Sequence, residues 1–304
     1  MMPAEPHAPA ALTRRIAYVA AAIALIALLT GTGAARAAWA PVAAFLTLQG
    51  PPAAVSANVL SEHEIETLDS MPAQSQATLL LERSINHFEG ANDQIARRAS
   101  TWRGQLTLEA RLNDLFTTAL NSNDLRVRAA AIEVDLAARN VEKAPSAVDR
   151  LEPVARFGEQ GPRANALWDL ALLGNRGIDA DRTLQTLLAS RHDANVNIRY
   201  WAVEGLAYLG TDGVIAPLLE TFHDDPSPLI RERAACGLAQ SGMLSEAQRW
   251  RAVPTLLDYA GDGGLDPETR KWVFQALRDI TGQSLPHDAS TWRAWYQRAG
   301  RAER

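Results

Sequence analysis

The 304-residue chain is short of several residue types, and each shortage removes a class of protein. A single cysteine, Cys236, excludes a disulfide framework, a cysteine-rich zinc site and a CxxC redox pair. Lysine occurs only at Lys143 and Lys271, so arginine carries nearly all the positive charge. That charge is not in excess. Thirty basic against 35 acidic residues give −5, and this balance does not point to nucleic acid. Aromatic residues make up only 6% of the chain, but 47% is hydrophobic, enough to bury a core and to exclude disorder as a description of the whole. What is present is a mildly acidic, alanine-rich, globular protein with no metal signature.

The first fifty residues read as an address. Arg14-Arg15 precede the uncharged run Ile16–Leu29, and small residues follow around Ala35-Arg36-Ala37. A basic start, an apolar middle and an A-x-A site are the three parts of a signal peptide, with cleavage expected before Ala38. The alternative is an uncleaved membrane anchor, because the uncharged stretch from Ile16 to Ala35 reaches the roughly 20 residues a span needs. Either way the arginines stay in the cytoplasm and the remainder is exported, to the periplasm or cell envelope. Loss of residues 1–37 removes Arg14, Arg15, Arg36 and Glu5, leaving 27 basic against 34 acidic residues, or −7. Residues 38–59 hold three prolines and no charge and are expected to be a linker. Ser61 with Glu64 then reads as a capped helix start.

A repeat runs through the second half. Segments opening on Arg128, Arg163, Arg199, Arg231 and Arg270 align at spacings of 35, 36, 32 and 39 residues. Three positions after the arginine stand Ala131, Ala166, Ala202, Ala234 and Val273, and four after stand Ile132, Leu167, Val203, Ala235 and Phe274. Leu170, Leu206, Leu238 and Leu277 come seven after, with Leu136 one further on in the first unit. Such offsets share one helix face. Gly174, Gly210 and Gly242 follow where a helix end tolerates positive φ, and Gly282 comes one residue later in its unit. A preceding helix carries its own column, Pro153, Thr186, Pro217 and Pro254, each followed by apolar pairs. Each unit is thus an αα-hairpin with two apolar stripes that only stacking can bury.

The pattern resembles HEAT repeats of the armadillo type, particularly their short bacterial form. Asp124-Leu125-Arg126-Val127-Arg128 and Asn195-Val196-Asn197-Ile198-Arg199 carry the resemblance best. It implies an all-α fold, a right-handed α-solenoid of helical hairpins, and says little of function, because this fold hosts many roles. The expected organisation is a signal peptide or anchor over 1–37, a linker over 38–59 and an N-terminal helical cap region over 60–110. About five repeats would then fill 111–282, and a capping helix and tail 283–304. In that last segment Trp292, Trp295 and Tyr296 form an aromatic stripe on a helix expected to be capped by Ser290.

The repeated arginines each follow a polar residue four positions earlier: Asp124, Glu159, Asn195, Ser227 and Asp266. Asp124, Arg128, Arg163, Asn195, Arg199, Arg231, Asp266 and Arg270 are therefore expected to be structural, tying turns and neighbouring repeats together. The candidate binding surface is concave, with Tyr200, Trp201, Arg233 and Trp272 forming an aromatic and guanidinium groove for an extended peptide. Among HEAT-like enzymes, metal hydroxylases use repeated His-Glu pairs, and only His63-Glu64 is such a pair here. Cys236 reads as a packed residue, and Gly261-Asp262-Gly263-Gly264 as a turn between two hairpins. The expectation is an exported, non-catalytic scaffold for a protein or peptide, needing neither cofactor nor nucleic acid. The alternative is an envelope enzyme with a loop-borne site.

Overall fold

The computed structural model describes residues 58–302. The expected signal peptide or anchor over 1–37 and most of the linker lie outside the described residues. Within them there are fifteen α-helices and no β-strand; one parallel bridge joins Val59 to Glu89. No described helix is long and apolar enough to cross a membrane.

The order follows from the repeat. Helix α1 (Glu62–Leu68) opens on a capping box between Ser61 and Glu64. Hairpins follow: α2 (Ala73–Ile85) with α3 (Ala91–Trp102), and α4 (Ala110–Leu120) with α5 (Leu125–Ala138). Next come α6 (Pro145–Phe157) with α7 (Gln160–Asn175), α8 (Ala180–Ser190) with α9 (Val196–Leu209), and α10 (Ile215–Asp224) with α11 (Pro228–Cys236). A π turn, Gly237–Ser241, continues α11. The short α12 (Glu246–Trp250) leads to the hairpin α13 (Val253–Ala260) with α14 (Pro267–Thr281), and α15 (Ala289–Ala302) closes the chain. Hairpin α2–α3 falls in the segment expected to be a cap.

The apolar columns are the core. Leu167, Leu170, Val203, Leu206, Ala234, Leu238, Val273 and Leu277 are all buried between neighbouring hairpins. Each large side chain removed from water contributes about 1.5–3 kcal/mol. Helix starts follow local chemistry: Asp124, Asn195 and Asp266 each accept the backbone N–H two residues on. Glu159 and Ser227 occupy the same position without a side-chain cap.

Three local expectations are corrected. Gly210 and Gly282 end their helices with φ of 67° and 68°, but Gly174 lies inside α7 and Gly242 is extended. Gly174 is there for close approach, since a Cβ would stand 2.5 Å from Leu209 Cδ1. The cap of α15 is Asp288, whose carboxylate accepts from the Thr291 N–H and the Ser290 hydroxyl. The Gly261–Gly264 turn joins α13 to α14 within one hairpin.

The arginines make a ladder across the turns of α6–α14. Arg163 bonds Asp193 at 2.5 Å and its own turn at Ala155 O. Arg199 grips Asp225 through both Nε and Nη2 and donates to Asp193 O. Arg231 reaches Asp266, Thr269 and Asp225 O. Arg270 has no further repeat to meet and donates to Asp262 O and Leu265 O in its own turn. The acceptors Asp193 and Asp225 stand six residues before Arg199 and Arg231, so Asn195 serves as a cap and not as an arginine partner. At the end of the stack, Trp292 is buried and donates to Pro286 O, with Trp295 packed edge-on against it.

Helix α5 departs from the ladder. Its Arg128 donates to Ser122 O in its own turn and then to Gln240 O and Gly242 O, at 2.8 and 2.6 Å, beyond α11. Those carbonyls are free because they stand at the end of the π turn that closes α11, where a helix's last carbonyls have no partner within it. Arg249 takes Ala239 O and shares Gln240 O. Further along α5, Asp135 accepts from Trp168 Nε1 at 2.7 Å, and Glu133 pairs with Lys143 and Arg176. Helix α5 therefore lies across α7 and the end of α11, on the face turned away from α6, α8 and α10. Its residues join both hydrophobic cores: Val127, Ala131 and Val134 the N-terminal one, Ile132 and Leu136 the larger one.

Candidate protein-interaction surface

The inner face of the solenoid is made by the sides of α7, α9, α11 and α14 that point away from their hairpin partners. On each helix it begins two positions after the repeat arginine. The end of this face is covered by α5, and its beginning carries the expected binding residues.

Trp201 is half-buried, edge-on to Trp168 at 6.0 Å and to Tyr200 at 5.7 Å. Trp168 also packs against Tyr208 at 4.8 Å, so an aromatic row links α7 to α9. Tyr200 keeps an exposed edge next to Arg233. Arg233 Nε stands 2.6 Å from Glu204 Oε2, at an angle too oblique for a hydrogen bond, so charge holds the pair; the guanidinium also meets the Ser241 hydroxyl. Burial raises the Glu204 carboxyl above the usual range although Arg233 opposes the shift. Burial works against the Arg233 cation, and Glu204 reverses the balance, leaving its pKa raised. Tyr208 is pushed up to about 12 by burial and by Glu204.

The structure thus brings Tyr200, Trp201 and Arg233 together and leaves Trp272 one helix away. There Trp272 is half-buried and walls a cleft of about 80 Å³ with Cys236, Gln275 and Asp279. Cys236 is half-buried, its sulfur 3.5 Å from the Ser241 hydroxyl. Sequence reasoning missed Glu204, which occupies Arg233, and Trp168, which backs Trp201.

A second cluster sits under α5. Asp135 and Asp169 are both buried, with Arg139 reaching each, at 3.0 and 3.6 Å. Burial lifts the Asp169 carboxyl to about 6, Arg139 restraining the shift and Asp135 adding to it. One Asp169 oxygen has no hydrogen-bond partner. A carboxylate inside a run of alanine and leucine is costly unless paired, and this pairing is incomplete. Among the described residues no group of histidine, cysteine and carboxylate side chains is arranged to hold a metal ion.

In a comparison with known families, residues 158–239 match the model described as HEAT repeats. The match begins just before α7 and ends in the π turn after α11. No curated protein matches the chain.

Proposed function

The chain is a HEAT-repeat protein, and from that premise we propose that it is an exported, non-catalytic scaffold of the cell envelope, gripping a protein or peptide on its inner face. HEAT repeats generally act as protein-interaction scaffolds and are typically non-catalytic. The observation that carries the reading is the strip of large amphipathic side chains left uncovered beside α5: Tyr200, Trp201 and Trp272, with Arg233 steadied by Glu204. Aromatic and guanidinium groups on a preformed surface bind with little loss of side-chain freedom. Export rests on the Arg14-Arg15 start, the apolar run and the Ala35-Arg36-Ala37 site.

The test is capture of envelope proteins on the immobilised exported chain, its N-terminus read by mass spectrometry. Tyr200→Ala with Trp272→Ala is expected to lower the melting temperature somewhat, since both half-buried rings pack on the core. Capture should fall by about ten-fold at a temperature where the variant is still fully folded. Trp201 is the wrong choice for that variant because it supports Trp168. Undiminished capture by the double variant would overturn the inner-face reading. An intact Met1 or Met2 would overturn cleavage and favour the anchor.

A further inference from the structure

We propose that the turn edge of hairpins α6–α7, α8–α9 and α10–α11 is a second docking surface, fitted to a basic partner segment that carries apolar side chains. It is a different face from the inner strip and does not depend on it. Among the described residues five large hydrophobic side chains are exposed, and three of them stand on this edge. They are Phe157 at 84%, Val196 at 43% and Leu229 at 56%. Phe157 ends α6, Val196 begins α9 and Leu229 is the second residue of α11, so three consecutive hairpins each offer one. The ladder contacts Arg163–Asp193 and Arg199–Asp225 hold the three turns side by side.

Between the last two turns lies a groove of about 430 Å³, walled by Asp193, Glu220, Asp224 and Asp225 with Arg191 and Arg199. Both arginines are already engaged. Arg191 donates to Pro217 O and Glu220, and Arg199 to Asp193 O and Asp225. The ladder pairs Arg163–Asp193 and Arg199–Asp225 bury both partners to a similar degree, whereas two pairs beside them turn the guanidinium inward and the carboxylate outward. The side chain of Arg191 is 14% exposed against 56% for Glu220, and Arg231 is 14% exposed against 45% for Asp266. A partner approaching this edge therefore meets the exposed apolar side chains together with the exposed carboxylates of Glu220 and Asp224, while Asp193 and Asp225 are held by the ladder arginines. That combination attracts Lys or Arg flanking an apolar residue and repels anionic lipid and nucleic acid. One exposed apolar side chain on each of three consecutive turns gives a row at the repeat spacing, which suits an extended segment better than a compact partner.

The test uses the full chain and two fluorescein-labelled peptides, one repeating Lys-Leu-Ser and the other Glu-Leu-Ser, followed by fluorescence anisotropy. The Lys peptide is expected to bind and the Glu peptide not to, and added salt is expected to weaken the Lys peptide because exposed charges are screened. Phe157→Ser with Leu229→Ser should weaken the Lys peptide by about ten-fold, with helicity unchanged because both side chains are exposed. Trp272→Ala should leave it alone. The proposal is overturned if the Lys peptide does not bind, or binds the Phe157→Ser, Leu229→Ser protein equally well. It is also overturned if vesicles of anionic phospholipid bind the wild-type chain and lose it in that variant.

Discussion

Helices α5 and α14 begin alike and end in different circumstances. Each is capped by an aspartate, Asp124 or Asp266, and each carries an arginine four residues later. Arg270 satisfies its own turn, and α14 keeps a solvent face with Lys271 and Gln275. Arg128 is buried and spends two of its hydrogen bonds on carbonyls more than a hundred residues away, and Ala130–Ala137 has no solvent face at all. The shared motif sets where a helix starts and which way its arginine leaves. Burial of the rest is decided by what the chain brings against it, here α2, α3 and α4 on one side and α7 with the π turn beyond α11 on the other.

The largest expected difference between the two helices is the cost of losing the arginine. Arg128→Ala should lower unfolding free energy by about 3 kcal/mol, because it leaves buried carbonyls without donors, and Arg270→Ala by about 1 kcal/mol. Urea denaturation measures both, and equal losses would show that the long-range contact adds nothing to the local one. A smaller, pH-dependent effect belongs to Asp169 of α7, in the cluster beneath α5 that has no counterpart at α14. Asp169 titrates at about 6 when folded and at the ordinary 3.8 when unfolded. Between those values the folded protein holds a proton that the unfolded chain has lost, so stability falls as pH rises through the window and stays lower above it. Asp169→Asn should therefore gain about 2 kcal/mol at about pH 7.5 and little below about pH 4. Thermal melts at both pH values check this, and an equal gain at the two would refute the assignment. The smallest expected effect is at the seam itself. Trp168→Phe removes the donor to Asp135 and should cost about 1 kcal/mol, whereas Trp272→Phe should change stability by less than about 0.5 kcal/mol.

Much of the ladder was legible because it is local and periodic. The columns at Ala202, Val203 and Leu206 and their equivalents name a helix face, and the arginine register names its start. The acceptors Asp193 and Asp225 were missed because the cap position four residues before each arginine drew attention from the turn residue six before. Gly174 was misread because a glycine near a helix end satisfies two different needs, positive φ and close packing, which look the same in sequence. The crossing of α5 left one readable trace: Glu133 and Asp135 stand inside AAAIEVDLAA, and carboxylates in such a run require partners from elsewhere. Where those partners lie is a long-range fact that no local period encodes. Of the inner face, the residue types at Tyr200, Trp201 and Trp272 were visible, but not that Glu204 would claim Arg233.

The bond from Arg128 to Gly242 also changes how the molecule assembles. A repeat array in which each unit touches only its neighbours can nucleate anywhere, grow unit by unit and be shortened from either end. Here a contact spanning 114 residues closes the array on itself, and the loop must be brought together before α5 is fully housed. Closing a loop of that length has to precede the contact, which slows the step that forms it. Truncation before Gln240 would leave the buried Arg128 guanidinium without its distant acceptors, whereas removal of α13–α14 alone would spare them.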